Sequence, residues 1–159
     1  QVFSTKFGWV RVFPMQKKSD AHEGLSLLAQ RDGIPPTIVM DGAREQTMGE
    51  FRRKAREMGI RVKQTEPYSP WQNAAESAIR EVKRAAGRRM TKMKAPAKLW
   101  DHCIELQGYI RSHTANNSYE LQGQIPETVI SGQTADISPF VECGWYNWIE
   151  YWDSISAYP

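Results

Sequence analysis

The chain has 159 residues, 40% of them hydrophobic and 25% charged, with 21 basic and 18 acidic side chains for a formal net charge of +3. Such values belong to an ordinary folded domain. They exclude a disordered tail and a collagen-like repeat, and two cysteines, Cys103 and Cys143, exclude a disulfide scaffold. No apolar run approaches the roughly 20 residues that a spanning helix needs, and no charged and apolar leader follows Gln1 as a signal peptide would. The expectation is an intracellular protein with no membrane partner, and a chain that starts at Gln rather than Met reads as a piece of something longer.

Taken in chain order, Gln1–Ser4 and Trp9–Phe13 are β-branched and aromatic, and Lys6-Phe7-Gly8 between them suits a hairpin turn. Ser19 or Asp20 should cap a helix, with Glu23 reaching back; that helix carries Leu25, Leu27, Leu28 and Ala29 and stops at Asp32-Gly33, before Pro35-Pro36. Thr37-Ile38-Val39-Met40 is wholly apolar in character, as in a strand covered on both faces. Met48, Phe51, Ala55 and Met58 follow at helical spacing with Gly59 as the stop, and Ile60–Gln64 is the next strand. Strand, helix and strand with short joints imply a parallel crossover and a layered α/β architecture.

From Ser69 the chain is mainly helical. Ser69-Pro70-Trp71-Gln72 has the cap, the proline and the reciprocal amide of a helix start. Trp71, Ala75, Ala78, Ile79, Val82, Ala86 and Met93 form one apolar stripe, Pro96 breaks the helix, and Trp100, Cys103, Ile104, Gln107 and Ile110 repeat the period in a second. Beyond about Asn116 the pattern is irregular. Trp145–Trp152 alternates so densely in aromatics that a strand or an interface segment is expected, and Trp100, Trp145, Trp148 and Trp152 are assigned to structure or a subunit contact.

Two carboxylates stand out by context. Asp41 ends the apolar strand, where open α/β sheets place their ligands, and Glu76 lies early in the long helix. Brought together, they could share hard, oxygen-loving Mg²⁺. At 100° per residue Gln72, Glu76, Arg80 and Lys83 share an arc beside the apolar stripe, and Arg84, Arg88, Arg89, Lys92 and Lys94 make this helix the one strongly basic element. Each residue also has an ordinary reading. Asp before Gly forms turns, Glu76 and Arg80 are spaced for an i, i+4 ion pair, Gln72 can complete the Ser69 cap, and late cations favour the helix dipole.

The stretch from Val39-Met40-Asp41-Gly42 through Pro67-Tyr68-Ser69-Pro70-Trp71-Gln72-Asn73-Ala74-Ala75-Glu76 resembles the catalytic core of a retroelement integrase, closest to the Ty1/copia class of retrotransposon. Leu99-Trp100, Ile125-Pro126-Glu127-Thr128 and Gly132–Ser138 extend the likeness over essentially the whole chain. The resemblance implies a ribonuclease-H-like α/β fold, a three-layer mixed sheet with flanking helices, whose Asp-Asp-Glu triad binds two divalent metals. Such enzymes trim the element's DNA ends and join the 3′ hydroxyls to target DNA by in-line phosphoryl transfer. On the motif, Asp41 matches the second acid and Glu76 the third, as catalytic residues and metal ligands. Gln72, Asn73, Arg80, Lys83 and Arg84 match the residues that grip DNA.

The likeness implies residues 1–115 as an incomplete catalytic core and 116–159 as its irregular, Trp-rich C-terminal extension. The family's first acid lies on the central first strand, which is missing here and expected roughly 10 residues upstream of Gln1. Its loss leaves flanking strands without a partner, and Mg²⁺ or Mn²⁺ held by two carboxylates should bind weakly. His22, His102, His113, Cys103 and Cys143 lack the spacing of the family's zinc module. Expected partners are double-stranded element and target DNA and further copies of the full-length protein, in a cytoplasmic particle and the nucleus. The fragment as given is expected to be inactive. The competing expectation is a non-catalytic nucleic-acid-binding or assembly remnant; a third is another nuclease of the same fold.

Overall fold

The computed structural model describes residues 1–40, 49–64, 74–116, 121–141 and 144–147. Strands β1 (Val2–Ser4) and β2 (Val10–Val12) form the predicted antiparallel hairpin, with Val2 opposite Val12 and Phe3 opposite Arg11. The turn closes through the Thr5 N–H to the Trp9 carbonyl, and Gly8, at φ +80°, takes a left-handed conformation open to glycine. Period-two alternation sends Phe3, Trp9 and Phe13 to one face of the hairpin and Val2, Val10 and Val12 to the other.

Helix α1 (Ala21–Asp32) buries Ala21, Gly24, Leu25 and Leu28 and ends at Gly33. Its start corrects the expected capping box. A 3-10 turn, Lys18–Asp20, precedes the helix, and the Asp20 carboxylate accepts from the Lys17 N–H and the Ser19 hydroxyl instead of capping α1. Strand β3 (Thr37–Met40) runs parallel to β4 (Arg61–Gln64), and α2 (Glu50–Glu57) connects them, as the strand–helix–strand pattern requires. At the end of α2, Gly59 sits at φ +72°, and the Ile60 N–H reaches back to the Ala55 carbonyl, so the last turn is closed where glycine was expected.

One expectation for β3 fails. The strand is not covered on both faces, because Val39 is 54% exposed while Met40 is buried. Side-chain alternation explains it: Ile38 and Met40 face the core of α1 and α2, and Val39 turns to the opposite face.

Two cores hold the layers. On one side Trp9, Phe13, Leu25, Leu28, Met40, Phe51, Ala55 and Ile60 join β2, α1, β3 and α2. On the other, Val10 and Val12 meet Ala78 and Val82 of α3 (Ala74–Met93), with Ile104 of α4 (Trp100–His113) against them. Burying a Val or Leu side chain contributes about 1.5–3 kcal/mol, so these clusters carry the fold. Helix α3 ends before Pro96 as predicted; Lys94 turns left-handed at φ +50°, and the Ala95 N–H closes on the Met90 carbonyl.

Helix α4 seats on β2 through polar and steric fit. The Ser112 hydroxyl donates to the Val10 carbonyl and accepts from the Val10 N–H, both at 2.8 Å. Gly108 lets the helix approach: a Cβ there would stand 2.9 Å from Val12 Cγ2. Gly108→Ala should therefore overpack this contact and cost about 1–3 kcal/mol in urea unfolding. Adding Val12→Ala should recover part of that loss, and strictly additive losses would show that the two residues do not meet. Trp100, placed on the buried stripe by its spacing, is 51% exposed at the first residue of α4, while Cys103 on the same stripe is fully buried, its thiol toward the Ala86 carbonyl. Burial pushes the Cys103 thiol up, which keeps it protonated.

Among the described residues, the segment expected to be irregular holds two short helices, α5 (Pro126–Ser131) and α6 (Ser138–Val141). Proline at the start and Gly132 at φ +73° bound the first. Phe140 of α6 meets the His113 ring edge-on, with centroids 5.4 Å apart. Of the strand or interface segment expected for Trp145–Trp152, the described Trp145–Asn147 is not a strand: the Asn147 N–H bonds the Gly144 carbonyl and Tyr146 is at φ +64°, a turn. Trp148–Trp152 lies outside the described residues.

Burial lowers the pKa of His113, more than Glu127 and Asp136 nearby raise it, with Arg11 lowering it further. The unfolded chain therefore takes up this proton first as pH falls. Stability from this group is complete above the ordinary histidine pKa of about 6.5 and is lost as pH drops through it toward the lower folded value. Urea midpoints at about pH 7.5 and 5.5 should differ less in His113→Phe than in the native chain; an unchanged difference would rule out His113 as the cause.

Candidate nucleic-acid interface

The site predicted from the sequence lies on three segments, and the described residues contain one of them. β3 ends at Met40, immediately before Asp41. Asp41, Gln72 and Asn73 lie outside the described residues, as does the Ser69-Pro70 cap. Glu76 falls in the first turn of α3 and is exposed, as are Arg80, Lys83 and Arg84. The pairing of Asp41 with Glu76 therefore stands on sequence alone.

The helix separates its faces cleanly. Ala78, Val82 and Ala86 are buried at 4%, 2% and 6% exposure, which turns Glu76, Arg80, Lys83, Arg84 and Arg88 outward. On the flank beside α4, Glu81 pairs with Arg111. The ordinary i, i+4 reading of Glu76 and Arg80 fails: no ion pair joins them, and among the described residues no cation pairs with Glu76. Long side chains on an exposed helix gain only a few tenths of a kcal/mol from such a pair, too little to hold one geometry. Within Ala74–Met93 six basic side chains stand against two acidic ones, a larger excess than the whole chain's +3. Such a local field attracts phosphates, which the chain total understates.

Among the described residues, no three His, Cys, Asp or Glu side chains come together to hold an ion. Among the described residues no helix is long and apolar enough to cross a membrane.

Several solved structures share this fold. A chain of the simian T-cell lymphotropic virus intasome, in complex with PP2A regulatory subunit B56 gamma, matches with a TM-score of 0.65 at 17% identity, over 78% of this chain and 44% of that one. The catalytic core domain of BIV integrase matches with a TM-score of 0.53 at 15% identity, over 80% of this chain and 81% of its own length. The fold is that of an integrase catalytic core. No family model and no curated protein matches the sequence. This chain thus spans less than half of the intasome chain and most of the BIV core.

Within this integrase-core fold the sequence reading overlooked Arg11. Its side chain is 5% exposed, with Nε 2.9 Å from Asp32 and an Nη 2.8 Å from Glu127. Trp9 donates its indole N–H to the same Glu127 oxygen. The network ties the core's C-terminal segment to β2. Val10-Arg11-Val12 offered the one available signal, a cation between two core valines.

Proposed function

We propose that this chain is the catalytic-core portion of a Ty1/copia-type retrotransposon integrase with a ribonuclease-H-like fold. In the full polypeptide it would be preceded, roughly 10 residues before Gln1, by the strand that bears the first acid. The observation that carries the reading is α3: an exposed carboxylate in its first turn, followed on the same open face by Arg80, Lys83 and Arg84, in a fold shared with integrase cores. The Pro67–Gln72 motif supports it from the sequence side. In this reading Asp41 and Glu76 hold Mg²⁺ or Mn²⁺, which when bound neutralises charge at the phosphate undergoing in-line displacement. Arg80, Lys83 and Arg84 hold the phosphates of the element end, and Gln72 and Asn73 contact the DNA beside it. Target DNA and further copies of the full-length protein complete the assembly, in a cytoplasmic particle and the nucleus. Two carboxylates leave the fragment inactive by itself. The test is strand transfer by the protein with its upstream reading frame restored: Glu76→Gln should abolish joining, and unchanged joining would reject the assignment.

The basic face of α3 favours a second reading, a non-catalytic nucleic-acid-binding module. Each phosphate contact released adds about 0.9 to the slope of log affinity against log salt on duplex DNA. Arg80→Ala with Lys83→Ala should therefore flatten that slope by up to about 2. An unchanged slope would remove α3 from the interface. Binding without joining, in the protein with its upstream frame restored, would favour this second reading.

A further inference from the structure

Gly87 stands well inside α3 and on its exposed side. After proline, glycine is the least favourable residue in a helix interior, so it weakens α3 unless something offsets the loss. The other described glycines have such a reason: each takes a positive φ or has a neighbour within 4 Å of an added Cβ. Gly87 has neither, and a Cβ built on it meets nothing within 4 Å. Packing among the described residues therefore does not require a glycine at this position.

The bare position is ringed by cations. Residues three and four apart are neighbours on a helix surface, which puts Lys83 and Arg84 on one side of Gly87 and Met90 and Thr91 on the other; Lys83, Arg84 and Thr91 are exposed. Arg88 follows Gly87 directly, and Arg80, Arg84, Arg88 and Lys92 form an exposed i, i+4 row. Like charges at that spacing repel and weaken a helix. Among the described residues no ion pair relieves them, and no acidic residue lies between Glu81 and Asp101. A side chain at residue 87 would fill the space between these cations, and its absence lets a bulky anion come close to the helix backbone. Backbone groups inside a helix are already paired, so Gly87 supplies room while the cations and the Thr91 hydroxyl supply hydrogen bonds. A phosphodiester, with one charge and two free acceptor oxygens, meets both conditions.

We propose that Gly87 is the floor of a notch on α3, flanked by Lys83, Arg84 and Thr91, that seats one backbone phosphate of duplex DNA. At 1.5 Å per residue the notch lies roughly 16 Å along the helix from Glu76, so it positions the duplex and takes no part in the chemistry at the carboxylate. Resting on the reading of the α3 face as a nucleic-acid interface, the notch adds to it a contact made by shape.

The test compares the full chain carrying Gly87→Ala or Gly87→Leu with the native chain, binding a mixed-sequence DNA duplex across a salt series without divalent metal. Both substitutions should raise Tm, since each puts a strong helix former into open space. Gly87→Leu should nonetheless weaken binding roughly tenfold and flatten the slope of log affinity against log salt by about 0.9, the share of one phosphate. Gly87→Ala should fall between. A more stable helix that binds DNA less well is a result that a purely structural glycine would not give. Native affinity and slope in Gly87→Leu overturn the notch; if Arg80→Ala with Lys83→Ala still flattens the slope, the α3 interface stands without it. Weaker binding at an unchanged slope overturns the phosphate assignment, because the leucine then meets base or sugar. A lowered Tm in Gly87→Leu overturns the notch in favour of packing, and a native chain without salt-dependent binding overturns notch and interface together.

Discussion

Replacing Arg11 by alanine should destabilise the fold by about 3–5 kcal/mol, the usual cost of removing one partner from a buried ion pair. The guanidinium is enclosed. It bonds Asp32 at 2.9 Å, Glu127 at 2.8 Å and the Val10 carbonyl at 3.3 Å, and its carbon lies 4.5 Å from the Trp9 ring centre and 4.6 Å from that of Tyr109. The Asp32 and Glu127 side chains are themselves only 15% and 19% exposed, so losing the cation strands two largely dehydrated carboxylates and opens a gap between the rings. The figure is the cost of truncation and not the worth of the network. Arg11→Met combined with Asp32→Asn and Glu127→Gln should recover much of the loss, since apolar or neutral replacement of a whole buried ion cluster is often close to neutral. Arg11→Lys should fall between, because an ammonium cannot fork to both acids. Urea unfolding of the three variants checks this, and a loss below about 1 kcal/mol for Arg11→Ala would show that the pairs are solvated.

The second large effect concerns Glu76. With the upstream frame restored, Glu76→Gln should lower strand transfer by roughly two orders of magnitude or more, since metal-assisted charge stabilisation contributes several kcal/mol and each 1.4 kcal/mol is tenfold. The substitution keeps size and hydrogen bonding and removes the charge from an exposed position on α3, so the melting temperature should hold. DNA affinity in the absence of divalent metal should hold or rise, because a negative charge leaves a basic face. A loss of joining accompanied by unfolding would instead assign Glu76 a structural role.

Much of the local structure could be read directly. The Lys6–Gly8 turn, the stop of α1 at Gly33, the closure of α2 at Gly59 and the break before Pro96 depend on backbone rules that operate over a few residues. Burial of Phe51 and Ala55, or of Ala78, Val82 and Ala86, follows from helical periodicity in the same way. The exposed row Glu76, Arg80, Lys83 and Arg84 was legible for the same reason: one helix face is a matter of spacing. The misreadings concern what neighbours do. Val39 is apolar yet exposed, since coverage depends on what packs over each face of a strand. Trp100 keeps the period of α4 yet lies outside its packing, and Asp20 serves the turn before the helix that it was expected to cap.

By itself, then, the order of residues determined where the hairpin, β3, β4 and helices α1 to α4 lie, that β3, α2 and β4 form a parallel crossover, and which side of α3 carries charge, because each depends on short-range sterics and repeat length. Only the tertiary structure decided that Arg11 is buried between Asp32 and Glu127 and that Gly108 is the contact point of α4 on β2. Those features join residues as distant as Arg11 and Glu127. Contacts across such separations are selected by the packing of whole layers, for which no local pattern exists in the chain.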